Sequence, residues 1–394
     1  MKILVISLFF EPIWPGHGNR IPQMFINSIQ NDVDVVVLSG KLPKEIEQNF
    51  ESDLKYEENL EIKRLWIPNI NYDTIIGKFM INSTFFIQCF FHVLFSKKIS
   101  VVLCFVPYLP FFSLVLLPSK IKKIKSIIIH ADAWPEVLKD LGIINNNLLY
   151  RFVSKLCLNT INLSSKIITF TNELKELLLK HGIDENKIIT INQGIDIHIF
   201  KPQTIKKNDA KFLVIYTGSF SPLYDFQIIL ESSKKLKSYD INFELIGDGP
   251  LKEQIKDYIK TNSLDKVIIK DSIKNTDELI EKINSADLAV IGINDNIQNN
   301  STHPNKILEY LSCGLPIICS TKGAPRQLIK DSEGGIVVDN PNSDVFSKIL
   351  LELYENPNKC EIMSNNARNY IEKNHTIEIF GNNISKILSE IYDI

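Results

Sequence analysis

The sequence predicts an α/β fold made of two doubly wound parallel-sheet domains. Short apolar runs rich in β-branched residues alternate along the chain with helix-length stretches whose apolar residues recur every three or four positions. That alternation is typical of βα units that feed a parallel sheet. With 394 residues, the chain is also longer than one ordinary core requires. We therefore expect two domains, each with a core of its own.

The strand-like runs form two sets. In the first half they begin at Lys2, Asp34, Val101, Ser126, Lys166 and Lys187. In the second half they begin at Lys211, Phe243, Lys266, Leu288, Pro316 and Gly334. Between the sets, a polar, lysine-rich segment with a proline begins at Ile199 and predicts the interdomain linker. The predicted domains are 1–204 and 205–374, and the periodic apolar residues of 375–394 predict a C-terminal helix that packs back on the N-terminal domain.

The composition excludes several classes of protein. Hydrophobic residues make up 44% and charged residues 23%, which is typical of a globular chain and excludes a fibrous or disordered one. A formal net charge of -2 gives no global positive field, so we expect no nucleic-acid partner. The six cysteines form no C-x-x-C pair, which indicates reduced thiols in a cytoplasmic protein. Without a His/Cys cluster of metal spacing, or a D-x-D pair after a predicted strand, we expect no metal or other cofactor.

The strongest motif lies in 303–320. Pro304 followed by periodic apolar residues predicts the start of a helix at Asn305, whose free backbone N–H groups attract phosphate. Lys306 adds a positive charge to that first turn, and Glu309, one turn along on the same face, is suited to accept hydrogen bonds from a ribose diol. The alternative is an ordinary helix with a Lys/Glu surface pair.

Two glycine turns follow strand-like runs of the second half. One holds Gly218 and Ser219, and the other holds Gly247 and Gly249. Glycine lets the backbone approach a ligand at the carboxyl edge of a parallel sheet, although each turn by itself also fits a tight loop. Together with the Lys306 helix they predict one donor-binding site. A nicotinamide dehydrogenase is disfavoured because GDGPLK lacks the third glycine of G-x-G-x-x-G.

The first half offers two further groups of candidates. Gly16, Gly18 and Arg20 follow the first strand-like run and are suited to close over a diphosphate; a plain strand-to-helix loop is the alternative. His130 and Asp132 end the fourth run, at the edge of the sheet where functional side chains collect, and are the catalytic candidates of this half. The alternative is a solvated loop around a buried tryptophan.

An apolar and basic stretch indicates contact with a membrane surface. The aromatic-rich segment 79–95 and the apolar run from Val106 are followed by four lysines, Lys120, Lys122, Lys123 and Lys125. Such a patch suits anionic lipid headgroups, whereas the alternative is that the apolar residues belong to the core. No uninterrupted apolar stretch reaches about 20 residues, so we predict peripheral attachment on the cytoplasmic face of the inner membrane and no spanning helix.

With these motifs in order, the chain resembles the retaining GT-B glycosyltransferases of family four over nearly its whole length. The resemblance is carried by the run from Lys166 to Phe200, by FELIGDGP, by ADLAVIGI and by PNKILEYLSCGLPII. It implies two Rossmann-like domains facing a cleft, with the acceptor on the N-terminal domain and the nucleotide-sugar donor on the C-terminal domain. It also implies retention of configuration without a protein nucleophile and without a divalent metal.

Within that family, the loop at 16–20 and the segment DAWPE resemble the branch that adds N-acetylated amino sugars during capsule or O-antigen synthesis. The expected reaction is transfer from a UDP-sugar to a glycan or lipid-linked acceptor. By resemblance, Lys306 binds the diphosphate and Glu309 the ribose. His130 and Asp132 would face the transferred sugar or the acceptor.

Three positions depart from the family pattern. Ser219 and Tyr224 stand where an arginine and a lysine commonly bind the diphosphate, and Ser301 stands where the first of two glutamates is usual. Lys306, Arg20 and helix N-termini are interpreted as the substitutes. The departures keep two alternatives open: a non-catalytic GT-B subunit that partners another glycosyltransferase, and a sugar-nucleotide 2-epimerase.

Overall fold

The computed structural model describes residues 1–10, 22, 25–26, 33–41, 59–71, 74–105, 109–204, 212–339 and 341–392. The chain divides into two compact units, one formed by Met1–Gln193 with Ile377–Ile394 and the other by Gly194–Thr376. This division falls before the predicted boundary at 204/205, because 194–204 is bonded to the second unit. The carbonyl of Phe200 accepts hydrogen bonds from Ser312 Oγ (2.6 Å) and from the Arg368 guanidinium (2.9 Å).

The first unit contains a seven-stranded parallel sheet in the order β3-β2-β1-β4-β5-β6-β7. Its strands are β1 (Lys2–Ile6), β2 (Asp34–Gly40), β3 (Leu60–Leu65), β4 (Val101–Phe105), β5 (Lys125–His130), β6 (Lys166–Thr169) and β7 (Ile188–Thr190). Its helices with described bounds are α1 (Ile75–Phe95), α2 (Leu109–Ile121), α3 (Val137–Asp140), α4 (Asn147–Leu163), α5 (Asn172–Lys180) and α14 (Ile377–Tyr392). All six strand-like runs of the first half are strands.

Strand β3 was not predicted, because LEIKRL is more polar than the other strands. It lies at the edge of the sheet, where β2 is its partner among the described strands and most of its side chains stay partly exposed. An edge strand needs less apolar surface than a central one, so its pairing is decided by the neighbouring strand rather than by its own composition.

Alternate residues of the first sheet face two cores, as the period of two in a strand requires. Leu4 and Ile6 pack with α1 and α2, whereas Ile3 and Val5 pack with Phe380 and other apolar residues of α14. Helix α14 therefore covers one face of this sheet.

The second unit contains a six-stranded parallel sheet in the order β10-β9-β8-β11-β12-β13. Its strands are β8 (Phe212–Thr217), β9 (Ile241–Ile246), β10 (Val267–Lys270), β11 (Leu288–Gly292), β12 (Ile317–Ser320) and β13 (Gly335–Val337). Its helices are α6 (Phe226–Lys235), α7 (Lys252–Thr261), α8 (Thr276–Ser285), α9 (Ile297–Ser301), α10 (Asn305–Ser312), α11 (Gly323–Ser332), α12 (Ser343–Glu355) and α13 (Pro357–Asn374). The prediction of two doubly wound parallel sheets is confirmed.

The strand order of the second sheet marks where a ligand would bind. The chain runs outward from β8 through β9 to β10 and then returns to β11 on the other side of β8. Connections diverge at such a switch point, which opens a crevice at the carboxyl ends of the two central strands. The carboxyl ends of β8 and β11 therefore define the candidate site of this unit.

Candidate functional site

The two predicted glycine turns pack directly against each other at the carboxyl ends of β8 and β9. Gly218 N donates a 2.9 Å hydrogen bond to Ile246 O. A Cβ on Gly247 would lie 1.8 Å from the Gly218 carbonyl oxygen, so no side chain fits there. Gly218 and Gly249 have φ values of +130° and +152°, in the region that favours glycine. Both backbone shape and close contact therefore require glycine in these turns.

Helix α10 brings Lys306 beneath the first of these turns. The helix begins at Asn305, after Pro304, as predicted. Lys306 is only 8% exposed, and its Nζ donates a 2.6 Å hydrogen bond to Tyr216 Oη. A Cβ on Gly218 would lie 2.7 Å from that Nζ. The bare backbone of Gly218 thus leaves the room that the lysine ammonium occupies.

Two tyrosine rings surround this ammonium. Lys306 Nζ lies 3.9 Å from the ring centroid of Tyr216 and 3.8 Å from that of Tyr224. Contacts of a cation with ring faces compensate part of the hydration that burial removes. Tyr216 Oη in turn donates to the carbonyl of Ser219 at 2.7 Å, which ties the lysine to the glycine turn. We call Lys306, Tyr216 and Tyr224 the lysine box.

Tyr224 is held in the box by the end of β11. The neighbouring amide of Asp225 donates to Gly292 O at 2.9 Å, and Asn294 N donates to Leu223 O at 3.0 Å. The sequence analysis treated Tyr224 only as the loss of a phosphate-binding lysine. Two facts of the sequence could have revealed its contact with Lys306. Tyr224 lies in the same turn segment as Gly218, and a buried lysine needs partners such as an aromatic ring.

Burial lowers the pKa of Lys306 to about 7, and the nearby carboxylate of Glu309 opposes that shift. Glu309 lies on the same helix and is 8% exposed. A lysine with this pKa changes charge near neutrality. A bound anion would favour its charged form, so binding of a diphosphate here would be coupled to uptake of a proton.

The N-terminus of α10 has no side-chain cap among the described residues. Its first-turn amides therefore add partial positive charge next to Lys306. Asn305 is exposed at that end. Ser301, in the place of a glutamate, is buried at the end of α9. The structure thus gathers Gly218, Ser219, Gly247, Gly249, Asn305, Lys306 and Glu309 at one edge of the second unit.

The candidates of the first unit lie at the carboxyl end of β5. His130 is fully buried, and desolvation lowers its pKa to about 4, so the imidazole is neutral at physiological pH. Asp132 is partly exposed, two residues beyond the strand. Glu136, close by, contacts His181 with 2.5 Å between Oε1 and Nε2, and this carboxylate raises the pKa of His181. The sequence analysis did not anticipate the Glu136–His181 pair.

The remaining candidates of the first unit, Gly16, Gly18 and Arg20, lie outside the described residues. Their assignment to the donor site stays a prediction.

Comparison with known proteins shows that the second unit is similar to glycosyltransferases. Residues 198–370 match the family model described as "Glycosyl transferases group 1". An uncharacterized glycosyltransferase of Methanocaldococcus jannaschii is 23% identical over 198 residues, which are 50% of this chain and 52% of that protein. A UDP-Gal:alpha-D-GlcNAc-diphosphoundecaprenol alpha-1,3-galactosyltransferase of Escherichia coli is 26% identical over 247 residues, 59% of this chain and 60% of that protein. The chain aligns with about half the length of the first curated relatives that it matches.

A solved structure extends the likeness to the whole fold. The crystal structure of HepE from Anabaena in complex with UDP matches with a TM-score of 0.73 and 14% identity, covering 99% of this chain and 100% of that chain. The fold is GT-B, as the sequence predicted. The second unit, whose edge carries the lysine box, contains the segment that matches the group 1 glycosyltransferases.

Proposed function

We propose that this chain transfers a hexosyl group from a UDP-sugar bound by the second unit to a glycan or lipid-linked acceptor. The observation that carries this proposal is the lysine box, which holds Lys306 against the glycine turn at the switch point of the second sheet. The group 1 match over 198–370 supports the reaction class. The UDP bound to HepE supports the donor, and the diphosphoundecaprenol acceptor of the E. coli relative supports a lipid-linked acceptor.

In the proposed mechanism the second unit stabilises the leaving group. As the bond to the anomeric carbon breaks, negative charge grows on the departing diphosphate. Charged Lys306 and the first-turn amides of α10 would meet that charge in a site with little water, where each such donor contributes a few kcal/mol. Glu309, three residues along the helix, would accept hydrogen bonds from the ribose hydroxyls. These groups are already in place, so little reorganisation is needed during the reaction.

Retention of configuration is part of the proposal, with the acceptor proton passing to a leaving phosphate oxygen on the same face. The first unit would bind the acceptor. Neutral His130 and partly exposed Asp132 would line the path of the transferred sugar, and Gly16, Gly18 and Arg20 would close over the diphosphate. Because Lys306 and the helix amides supply positive charge, no divalent metal enters the proposed reaction.

We further propose that the sugar is an N-acetylated hexosamine or a related sugar and that the product enters surface-polysaccharide synthesis. The enzyme would then work in the cytoplasm, peripherally attached to the inner membrane. The apolar outer surface of α1, α2 and α4 supports that attachment.

A second candidate is a non-catalytic GT-B subunit. It is favoured by Ser219, Tyr224 and Ser301, which replace three charged residues usual in the family. Such a subunit would keep the fold while failing to bind a nucleotide.

The deciding experiment is thermal stabilisation of the protein by UDP, GDP and NAD in the presence of a chelator. We expect UDP to raise the melting temperature, and Lys306→Met to abolish the rise because the anion loses its cation. Lys237→Met, which removes an exposed lysine of the same unit, is the matched control and should respond like the native chain. Stabilisation by NAD alone would contradict the proposal, and no stabilisation by any of the three would favour the non-catalytic subunit.

A further inference from the structure

The outer surface of the first unit is apolar where three helices lie side by side. Helix α1 packs against α2, and α2 packs against α4. Seven apolar side chains of these helices are more than half exposed: Ile76, Phe79, Phe91, Phe95, Ile121, Leu148 and Phe152. We call this surface the apolar face. None of the three helices contains Asp or Glu, whereas they carry Lys78, Lys120, Arg151 and Lys155.

Helix α1 is fixed to the unit rather than free to insert. Its segment Ile76–Phe95 is long and apolar enough to cross a membrane by length and composition only, and a third of it is buried. Phe85 and Phe86 are fully buried in the core with α2. Withdrawing the helix would expose that core, so the apolar face is suited to lie on a bilayer surface.

A basic pocket opens at the end of these helices, at the amino edge of the first sheet. Its volume is about 350 Å³, in the range of small-molecule sites. Four lysines and three serines line it: Lys120, Lys123, Lys125, Lys187, Ser126, Ser164 and Ser165. No carboxylate is among the described residues that line it. The pocket is about 16 Å from His130, the length of β5, and is therefore separate from the candidate catalytic residues.

The local structure of the pocket leaves donors available. Ser126 N donates a hydrogen bond to Ser165 Oγ at 3.1 Å, and Ser165 N donates to Ser126 Oγ at 3.4 Å. Neither hydroxyl proton is bonded to an acceptor among the described residues. Lys187 Nζ donates to Asn162 O at 2.8 Å. Within the described part of the chain, Lys120, Lys123 and Lys125 form no ion pair. Several like charges without a counter-ion attract an anion with several oxygen acceptors, as a phosphate has.

Lys123 occupies its position against the preference of the backbone. It has a φ of +58° just after α2, where Lys123 N donates to Lys120 O and Ile124 N to Ser119 O. This cap of a helix end strongly favours glycine. Capping therefore does not by itself select a lysine at this position.

We infer that the basic pocket binds the phosphate of an anionic phospholipid headgroup, next to the apolar face. The inference rests on the membrane attachment proposed above, and it adds a lipid-binding site on the first unit. The last turns of α2 and α4 form part of the pocket, and Ile121, the last residue of α2, belongs to the apolar face. A lipid surface therefore meets apolar side chains and a phosphate-binding site in one region.

The test is flotation of the full chain with vesicles of phosphatidylcholine alone and of phosphatidylcholine with phosphatidylglycerol. Lys123→Gly/Lys125→Gln should reduce binding to the anionic vesicles about tenfold or more. The control Lys237→Gln/Lys260→Gln removes the same charge from exposed sites of the second unit and should bind like the native chain. Melting temperatures check folding, and Lys123→Gly should not lower them, because glycine suits the φ of this position.

Equal binding of the pocket variant and the control to anionic vesicles would overturn the inference. A second result would also overturn it: inorganic phosphate stabilises the native chain and not the pocket variant, while both bind the vesicles equally. The ligand of the pocket would then be free phosphate. If the native chain bound neither vesicle, the membrane attachment would be wrong as well. Stabilisation by UDP is measured separately and remains a test of the transferase alone.

Discussion

Lys306 of the second unit and His130 of the first unit are both buried bases at the carboxyl edge of a parallel sheet, and burial lowers the pKa of both. The pKa of Lys306 falls to about 7 and that of His130 to about 4. The ordinary pKa of a lysine is much higher than that of a histidine, and the rings of Tyr216 and Tyr224 and the carboxylate of Glu309 lie near the ammonium. Burial thus leaves the lysine able to gain a charge when an anion arrives, while the histidine stays neutral across the physiological range. At the carboxyl edges of the two sheets, Lys306 therefore responds to an arriving anion, whereas His130 does not.

The largest expected effect comes from filling the space under Lys306. In Gly218→Ala the new methyl group would lie 2.7 Å from Nζ and the residue would keep a φ of +130°. The displaced ammonium should lower the transfer rate about a hundredfold, because the leaving group loses an aligned cation. Steady-state kinetics with a UDP-sugar measure this.

Gly142→Ala in the first unit is the matched control. Gly142 also has a positive φ, +67°, but a Cβ there would meet nothing within 4 Å. Alanine at the left-handed φ of Gly142 costs about 1–2 kcal/mol, whereas the φ of +130° at Gly218 lies outside that region and costs at least as much. Equal losses of activity in the two variants would show that backbone strain, and not the lysine, matters.

The next largest effect is a pH dependence of stability that arises from the titration of Lys306. Its folded pKa of about 7 is below its unfolded value, so above about pH 7 the unfolded chain binds more protons. The free energy of unfolding should therefore rise with pH in that range, by up to about 1.4 kcal/mol per pH unit from this group. Urea titrations of the native chain and of Lys306→Met, compared at each pH, isolate it.

Bound UDP should favour the charged form of Lys306, whereas burial alone favours the neutral form, because the anion stabilises the ammonium. Binding at slightly alkaline pH should take up a proton, which calorimetry in buffers of different ionisation enthalpy measures. An uptake that persists in Lys306→Met would assign the proton to another group.

Two histidines of the first unit should respond to pH in opposite directions. His130 has a lowered pKa, so its contribution to stability is complete above the ordinary histidine value and is lost as pH falls towards about 4, by about 3 kcal/mol. His181 has a raised pKa because Glu136 accepts its hydrogen bond. Its contribution is complete below the ordinary value and is lost as pH rises through the folded pKa.

Proton NMR titration of the imidazoles, assigned with His130→Gln and His181→Gln, checks both directions. A His130 resonance that titrates near neutrality would remove the contrast between this residue and Lys306, and would indicate that the imidazole reaches water.

Much of this structure was open to prediction from sequence. All twelve strand-like runs are strands, and the helix after Pro304 begins where the proline and the apolar period place it. Those features depend on local pattern. Strand β3 was missed because its pairing depends on β2. The division of the chain falls before Gly194 rather than at 204/205, and Phe200 is bonded to residues more than a hundred positions away. Contacts of that kind leave no local signal.

The candidate site shows the same limit. The positions of the glycine turns after strands and of Lys306 in the first turn of a helix were predictable, because each depends on residues of its own segment. The lysine box was not, because Tyr216, Tyr224 and Lys306 meet only when β8, the turn after it and α10 are folded together. The sequence analysis took Tyr224 as a lost cation, whereas in the structure its ring lies on the remaining one.

The smallest expected effect comes from substitutions of Tyr224. They test whether its ring contributes to UDP binding through Lys306 or only stands in the place of a lost cation. Tyr224→Phe keeps a ring face 3.8 Å from the ammonium and should leave UDP affinity nearly unchanged. Tyr224→Leu removes that face and should weaken UDP binding about 2- to 30-fold, since a cation–ring contact is worth about 0.5–2 kcal/mol. Calorimetric titration with UDP compares the two. If both variants bound UDP equally, the ring would serve only as packing, and Lys306 would owe its position to Tyr216 and Gly218 alone.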